Sequence, residues 1–190
     1  MAEVLLFHHV LGRTSGMEAL AERFRSAGHT VHLPDLFDGR VLADRVDGRA
    51  YADEIGLDAI IERGRLAAET LPQELVYAGI SLGALPAQLL TQTRAGARGA
   101  LFVSATIEPG EFGAGWPKGV TAQIHLMEDD PLVAEGDLDV ARDMVGTVPG
   151  ARLYLYPGST HLFTEAGHPD HDPAATDVFV ERSTDYLADL

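Results

Sequence analysis

Cysteine is absent from all 190 residues. That excludes disulfides, zinc–thiolate centres and a cysteine nucleophile. Basic residues are scarce as well, with 14 Lys and Arg against 29 Asp and Glu and a formal charge of −15. Such a balance argues against nucleic-acid binding, which needs clustered cations to meet phosphates. It also disfavours docking on anionic membranes, and it suits solubility. No apolar run approaches the ~18 residues that span a bilayer. The first apolar run, residues 4–7, lacks the basic flank and cleavage site of a secretory signal, so a cytoplasmic location is expected. Repeats and low-complexity stretches are missing, as are a phosphate-binding P-loop and a dinucleotide fingerprint after the first apolar run.

What is present is an ordinary globular composition, 46% hydrophobic. The length suits one domain over residues 1–190. Apolar runs of strand length fall at 4–8, 30–33, 74–79, 100–104, 122–127 and 152–156, as for strands buried on both faces. Between them lie segments of helical period at 16–27, 51–71, 82–93, 138–145 and 174–187. Ser15 and Glu18 read as a capping box ahead of the first. Residues 35–50 and 110–119 lack a clear period and read as surface loops. The alternation predicts an α/β fold with a mostly parallel sheet of about six strands, helices on both faces, and functional residues just after strand ends.

One strand end stands out. Residues 74–79 run into Gly79-Ile80-Ser81-Leu82-Gly83, and a helical segment follows. This is the nucleophile-elbow pattern in its strand–turn–helix setting. The turn is tight enough that side chains two residues either side of the serine would collide, so glycine is required there. Ser81 is thus the candidate nucleophile.

A hydroxyl nucleophile needs a base, and the base needs an orienting acid. Of the histidines after Ser81, His161 follows a strand and a Pro-Gly turn, where a loop-borne base belongs. His125 lies within a strand, as a packed or solvent-facing residue. His168 and His171 fall in a polar loop and read as solvated. The acid is sought after strand 122–127, where Glu128, Asp129 and Asp130 stand. Asp130 is favoured because Pro131 restricts its backbone, with Asp129 as the fallback. The oxyanion donors are expected to be the backbone N–H groups of Leu82 and, after the first strand, Val10. His9, Leu11 and Trp116 are assigned to the pocket wall, although Trp116 reads equally as a loop anchor. No metal site is expected. His8 and His9 are adjacent on a strand and face opposite ways, and His168, Asp170, His171 and Asp172 belong to a solvated loop.

Together these residues resemble the dienelactone hydrolase family of the α/β-hydrolase fold. The resemblance spans almost the whole chain: His8-His9-Val10-Leu11-Gly12, the stretch 26–37 with Pro34-Asp35-Leu36-Phe37, the elbow, residues 128–133, and Tyr156-Pro157-Gly158 with His161 and Phe163. It implies a Ser81, Asp130 and His161 triad, oxyanion donors at Val10 and Leu82, no cofactor, and hydrolysis of a small ester or lactone through an acyl-enzyme. There are three departures. Members that open dienelactone use Cys where this chain has Ser81. They place Glu where this chain has His9. They hold the substrate carboxylate with arginines for which Arg40, Arg45 and Arg49 are no clear match. The leading strands usual in the wider fold are also absent, which implies a smaller sheet. The assembly is expected to be a monomer or homodimer. Two rival readings keep the fold: a binding or regulatory protein without turnover, and a thioesterase.

Overall fold

The computed structural model describes residues 1–113, 115–133 and 136–190. Position 114 of the 110–119 loop is therefore outside the description. Among the described residues six strands are found: β1 (Glu3–Phe7), β2 (Thr30–His32), β3 (Val76–Ile80), β4 (Gly99–Val103), β5 (Thr121–Met127) and β6 (Arg152–Tyr156). They form one sheet in the order β2-β1-β3-β4-β5-β6, every neighbouring pair parallel. The helices are α1 (Ser15–Ser26), α2 (Arg45–Ile55), α3 (Leu57–Glu69), α4 (Ala84–Thr93), α5 (Asp137–Thr147) and α6 (Pro173–Asp189).

Strand side chains alternate between two cores. Val4 and Leu6 of β1 join Met17, Leu20 and Phe24 of α1 and Phe179 of α6 on one face. Leu5 and Phe7 join Ile60 of α3 and Ala87 and Leu90 of α4 on the other. The inner strands are buried on both faces, which is why they read as continuous apolar runs rather than alternating ones.

The order reverses at β1, which has β2 on one side and β3 on the other. The crevice beyond the carboxyl ends of β1 and β3 is thus the switch point where open parallel sheets place ligands. Register levels the strand ends along that edge: Phe7 pairs with Gly79, Ile80 with Val103, Val103 with His125 and Met127 with Tyr156.

Three sequence expectations change. The cap of α1 is Thr14, whose Oγ1 accepts the Met17 N–H at 3.1 Å. Ser15 already has helical backbone, so the box with Glu18 does not form, and Glu18 pairs with Arg13 instead. The segment 51–71 is two helices broken at Gly56, whose φ of 86° no other residue adopts readily. Part of the 35–50 excursion is also helical. Asp44 caps α2 by accepting the Val46 and Asp47 N–H groups, both at 2.9 Å. Only Gly48 and Ala52 of α2 are buried, which leaves no apolar period to read.

Candidate active site

The elbow is a contact between backbones. A Cβ on Gly79 would collide with the Gly83 carbonyl, and one on Gly83 with the carbonyls of Phe7 and His8. The glycines therefore let the turn close and let it press against the end of β1. Between them Ser81 holds φ at 50°, a left-handed conformation costly for any residue with a Cβ. It opens a short 3-10 turn, Ser81–Gly83, that leads into α4.

The Ser81 hydroxyl lies 2.7 Å from His161 Nε2, and His161 Nδ1 lies 2.6 Å from Asp130 Oδ2. Asp130 Oδ1 accepts the Leu132 N–H at 3.0 Å, which fixes the carboxylate plane. With Asp130 on Nδ1, the imidazole turns Nε2 toward the serine oxygen. Asp130 and His161 are 1% and 6% exposed, while Ser81 is half-buried and open to a ligand. Asp129 and Glu128 point to solvent. Asp129 engages this region through its main chain alone, its N–H donating to Gly158 O at 2.9 Å. His168 is tied up locally, its Nδ1 accepting the Asp170 N–H at 3.0 Å. His125 is fully buried between Tyr154, Tyr156 and Phe179, and burial lowers its pKa to about 3.

Val10 sits in the turn after β1 and is nearly buried. Its N–H donates to no acceptor among the described residues. Leu82 is the second residue of the 3-10 turn, where N–H groups have no partner within the helix. The pocket-wall assignments fare differently. His9 and Leu11 are 0% and 3% exposed and have almost no surface to offer a substrate. Trp116 anchors its own loop, with Nε1 donating to Val120 O at 2.7 Å and the ring edge-on to Phe102. His8 is neutral: Nδ1–H donates to His9 O at 2.8 Å, Nε2 accepts the Leu36 N–H at 2.9 Å, and burial lowers its pKa to about 4.

The arginines of the 35–50 stretch are engaged. Arg40 lies 4.5 Å over the Tyr51 ring, Arg45 is 3.7 Å from Asp170, and Arg49 is 3.0 Å from Asp53.

Three further residues belong to this region and were not singled out in the sequence. Ser104, at the end of β4, donates its hydroxyl to His161 O at 2.6 Å. Glu165 is buried and meets His9 at 2.8 Å. Asp137, at the start of α5, has its carboxyl pushed up to about 6 by burial, against the pull of nearby His161. Ser104 was within reach of the strand-end rule. Glu165 and Asp137 matter only through contacts distant in sequence.

A parallel sheet with its switch point at β1 and a serine on a strained turn beyond β3 define an α/β-hydrolase. The model of the dienelactone hydrolase family matches residues 1–190, and the chain belongs to that family and is a hydrolase acting on ester bonds. Among solved structures, a dienelactone hydrolase from Anabaena variabilis superposes with a TM-score of 0.68 at 17% identity, over 99% of this chain and 86% of that one. A dienelactone hydrolase-like promiscuous phosphotriesterase from metagenomic libraries gives 0.74 at 16% identity, over 100% and 87%. Carboxyl esterase 2 from Tuber melanosporum gives 0.66 at 16% identity, over 100% and 78%. No curated protein matches the chain. No helix among the described residues is long and apolar enough to cross a membrane.

Proposed function

We propose that the protein is a serine hydrolase that cleaves small, uncharged esters or lactones through an acyl-enzyme. The observation that carries this is the unbroken line Ser81–His161–Asp130, with contacts of 2.7 and 2.6 Å, at the switch point of the sheet. His161 removes the Ser81 proton as Oγ attacks the ester carbonyl, and Asp130 stabilises the imidazolium that forms. The N–H groups of Leu82 and Val10 receive the oxyanion. His161 then protonates the leaving alcohol, and water enters with His161 again as base. A lactone is opened in the same way, its alcohol remaining part of the released hydroxy acid. No step calls for a cofactor.

The preference for uncharged substrates rests on the engaged arginines and the −15 formal charge. A substrate carboxylate finds no free guanidinium among Arg40, Arg45 and Arg49, and long-range repulsion lowers its local concentration. The test is labelling with a fluorophosphonate, peptide mapping, and turnover of p-nitrophenyl acetate beside an ester bearing a carboxylate. The expected result is a label on Ser81, loss of turnover in Ser81→Ala, and faster cleavage of the neutral ester. Full activity in Ser81→Ala, or preference for the carboxylate ester, would overturn the respective part.

A further inference from the structure

Beneath the loop 8–12 lies an ionisable pair that the proposed chemistry does not use. His9 is 0% and Glu165 5% exposed, and His9 Nε2 is 2.8 Å from Glu165 Oε2. The other ring nitrogen, Nδ1, accepts the Leu11 N–H at 3.2 Å. A nitrogen that accepts carries no proton, so the proton is on Nε2 and is donated to the carboxylate. One imidazole thus ties the main chain of the loop to Glu165.

Glu165 is well placed to hold that tie. It lies four residues beyond His161, and its own N–H donates to Leu162 O at 2.9 Å. Its carboxylate rests on the first turn of α1, where a Cβ on Gly16 would come within 2.6 Å of Oε2. The positive end of that helix favours the anion. The other side of the loop is braced by main chain: Val10 O lies against Gly48 of α2, and Leu11 O accepts the Leu42 N–H at 3.0 Å. Val10, the expected oxyanion donor, lies between His9 and Leu11, the two residues that the Nδ1 contact joins.

Stability alone does not call for this arrangement. When both partners of a buried hydrogen bond are replaced by apolar side chains of similar shape, the change in stability can be close to zero or favourable. We infer that His9 and Glu165 are a positioning pair that sets the Val10 N–H relative to the segment carrying His161, so that oxyanion donor and base are held in one frame. Neither touches substrate. This rests on the reading of Ser81 as nucleophile.

The experiment compares wild type, Ser81→Ala, Glu165→Gln, His9→Gln and the double variant His9→Leu with Glu165→Leu. Each is measured for fluorophosphonate labelling, kcat and KM on p-nitrophenyl acetate, inhibition by a trifluoromethyl ketone that mimics the tetrahedral adduct, and thermal unfolding. The double variant is expected to unfold at or above the wild-type temperature. Its kcat should fall about 10–100-fold with KM within about 2-fold, and the ketone should weaken by the same factor, as for a misplaced oxyanion donor. Glu165→Gln keeps an oxygen to accept from Nε2 and should stay within about 5-fold of wild type. His9→Gln keeps a donor for Glu165 but offers nothing placed for the Leu11 N–H. It should fold and show the same loss, which keeps the test open if the double variant does not fold. Wild-type kcat and ketone affinity in either variant would overturn the pair while leaving the nucleophile standing. An unlabelled, inactive wild type would overturn the reading of Ser81, and the pair with it.

Discussion

Ser104 donates its hydroxyl to the main-chain carbonyl of His161 at 2.6 Å, with its own φ at 59° and its side chain buried. A left-handed serine at the end of β4 is strained, and the strain aims the hydroxyl at the segment that carries the base. Ser104→Ala keeps the strain and leaves the His161 carbonyl without this donor. It is expected to destabilise the fold by about 1–3 kcal/mol and to lower kcat more than it raises KM. Ser104→Gly relieves the backbone and should be the more stable of the two. Urea unfolding with steady-state kinetics checks both, and equal stability of Ala and wild type would count against the tether.

Asp130 and Asp129 are neighbours with opposite surroundings, one facing His161 at 2.6 Å and the other facing solvent. Asp130→Asn should reduce kcat by about 10³–10⁴-fold, because an amide stabilises the wrong tautomer of the base. Asp129→Asn should stay within about 2-fold. The reverse ranking in steady-state assays would move the acid to Asp129.

Acid should begin to destabilise this protein above the usual carboxylate range. Burial lowers the pKa of His8 to about 4 and of His125 to about 3, against 6.5 for an unburied imidazole. Below pH 6.5 the unfolded chain takes up a proton at each position and the folded chain does not. Stability is therefore complete above that pH and declines as pH falls toward 4, by up to about 1.4 kcal/mol per pH unit for each histidine. Urea unfolding at pH 7.5, 6 and 5 measures the slope. His125→Phe should remove about one proton from it, and an unchanged slope would refute the assignment.

Asp137 runs the opposite way. Its folded carboxyl stays protonated up to about pH 6, whereas an unburied one ionises near 3.8. Its contribution to stability therefore worsens between those values and is constant above. Asp137→Asn is expected to raise the unfolding temperature at pH 7.5 and to leave it unchanged at pH 3.5. Once ionised, the carboxylate favours the imidazolium of His161. The same variant should then lose activity about 2–5-fold at pH 8 and little at pH 5.5. A variant less stable at both pH values would show that Asp137 is held by hydrogen bonds rather than penalised by burial.

Much of this molecule was legible in its sequence, for identifiable reasons. Strands buried on both faces leave uninterrupted apolar runs, and each of the six was located to within about two residues, as is usual for such boundaries. The elbow was legible because steric demand fixes Gly79 and Gly83 around Ser81. The Asp130-Pro131 pair pointed to the carboxylate that faces His161. Helix α2 was hidden because its solvated surface carries no apolar stripe. The break at Gly56 was hidden because a lone glycine in a helical pattern is usually tolerated. The position of His9 just after the first strand suggests a pocket wall, since parallel sheets carry their functional residues at strand ends. Its burial depends on Glu165, 156 residues away, and no local pattern announces a contact of that span.

The collision that a side chain on Gly83 would make with the Phe7 and His8 carbonyls also has a mechanical meaning. The nucleophile turn and the donor loop rest on each other as a hard stop, with no side chain between them to act as a spring. Their separation is settled when the chain folds, not when a substrate arrives. The reorganisation that a looser site would undergo at every turnover is thereby met once, in folding.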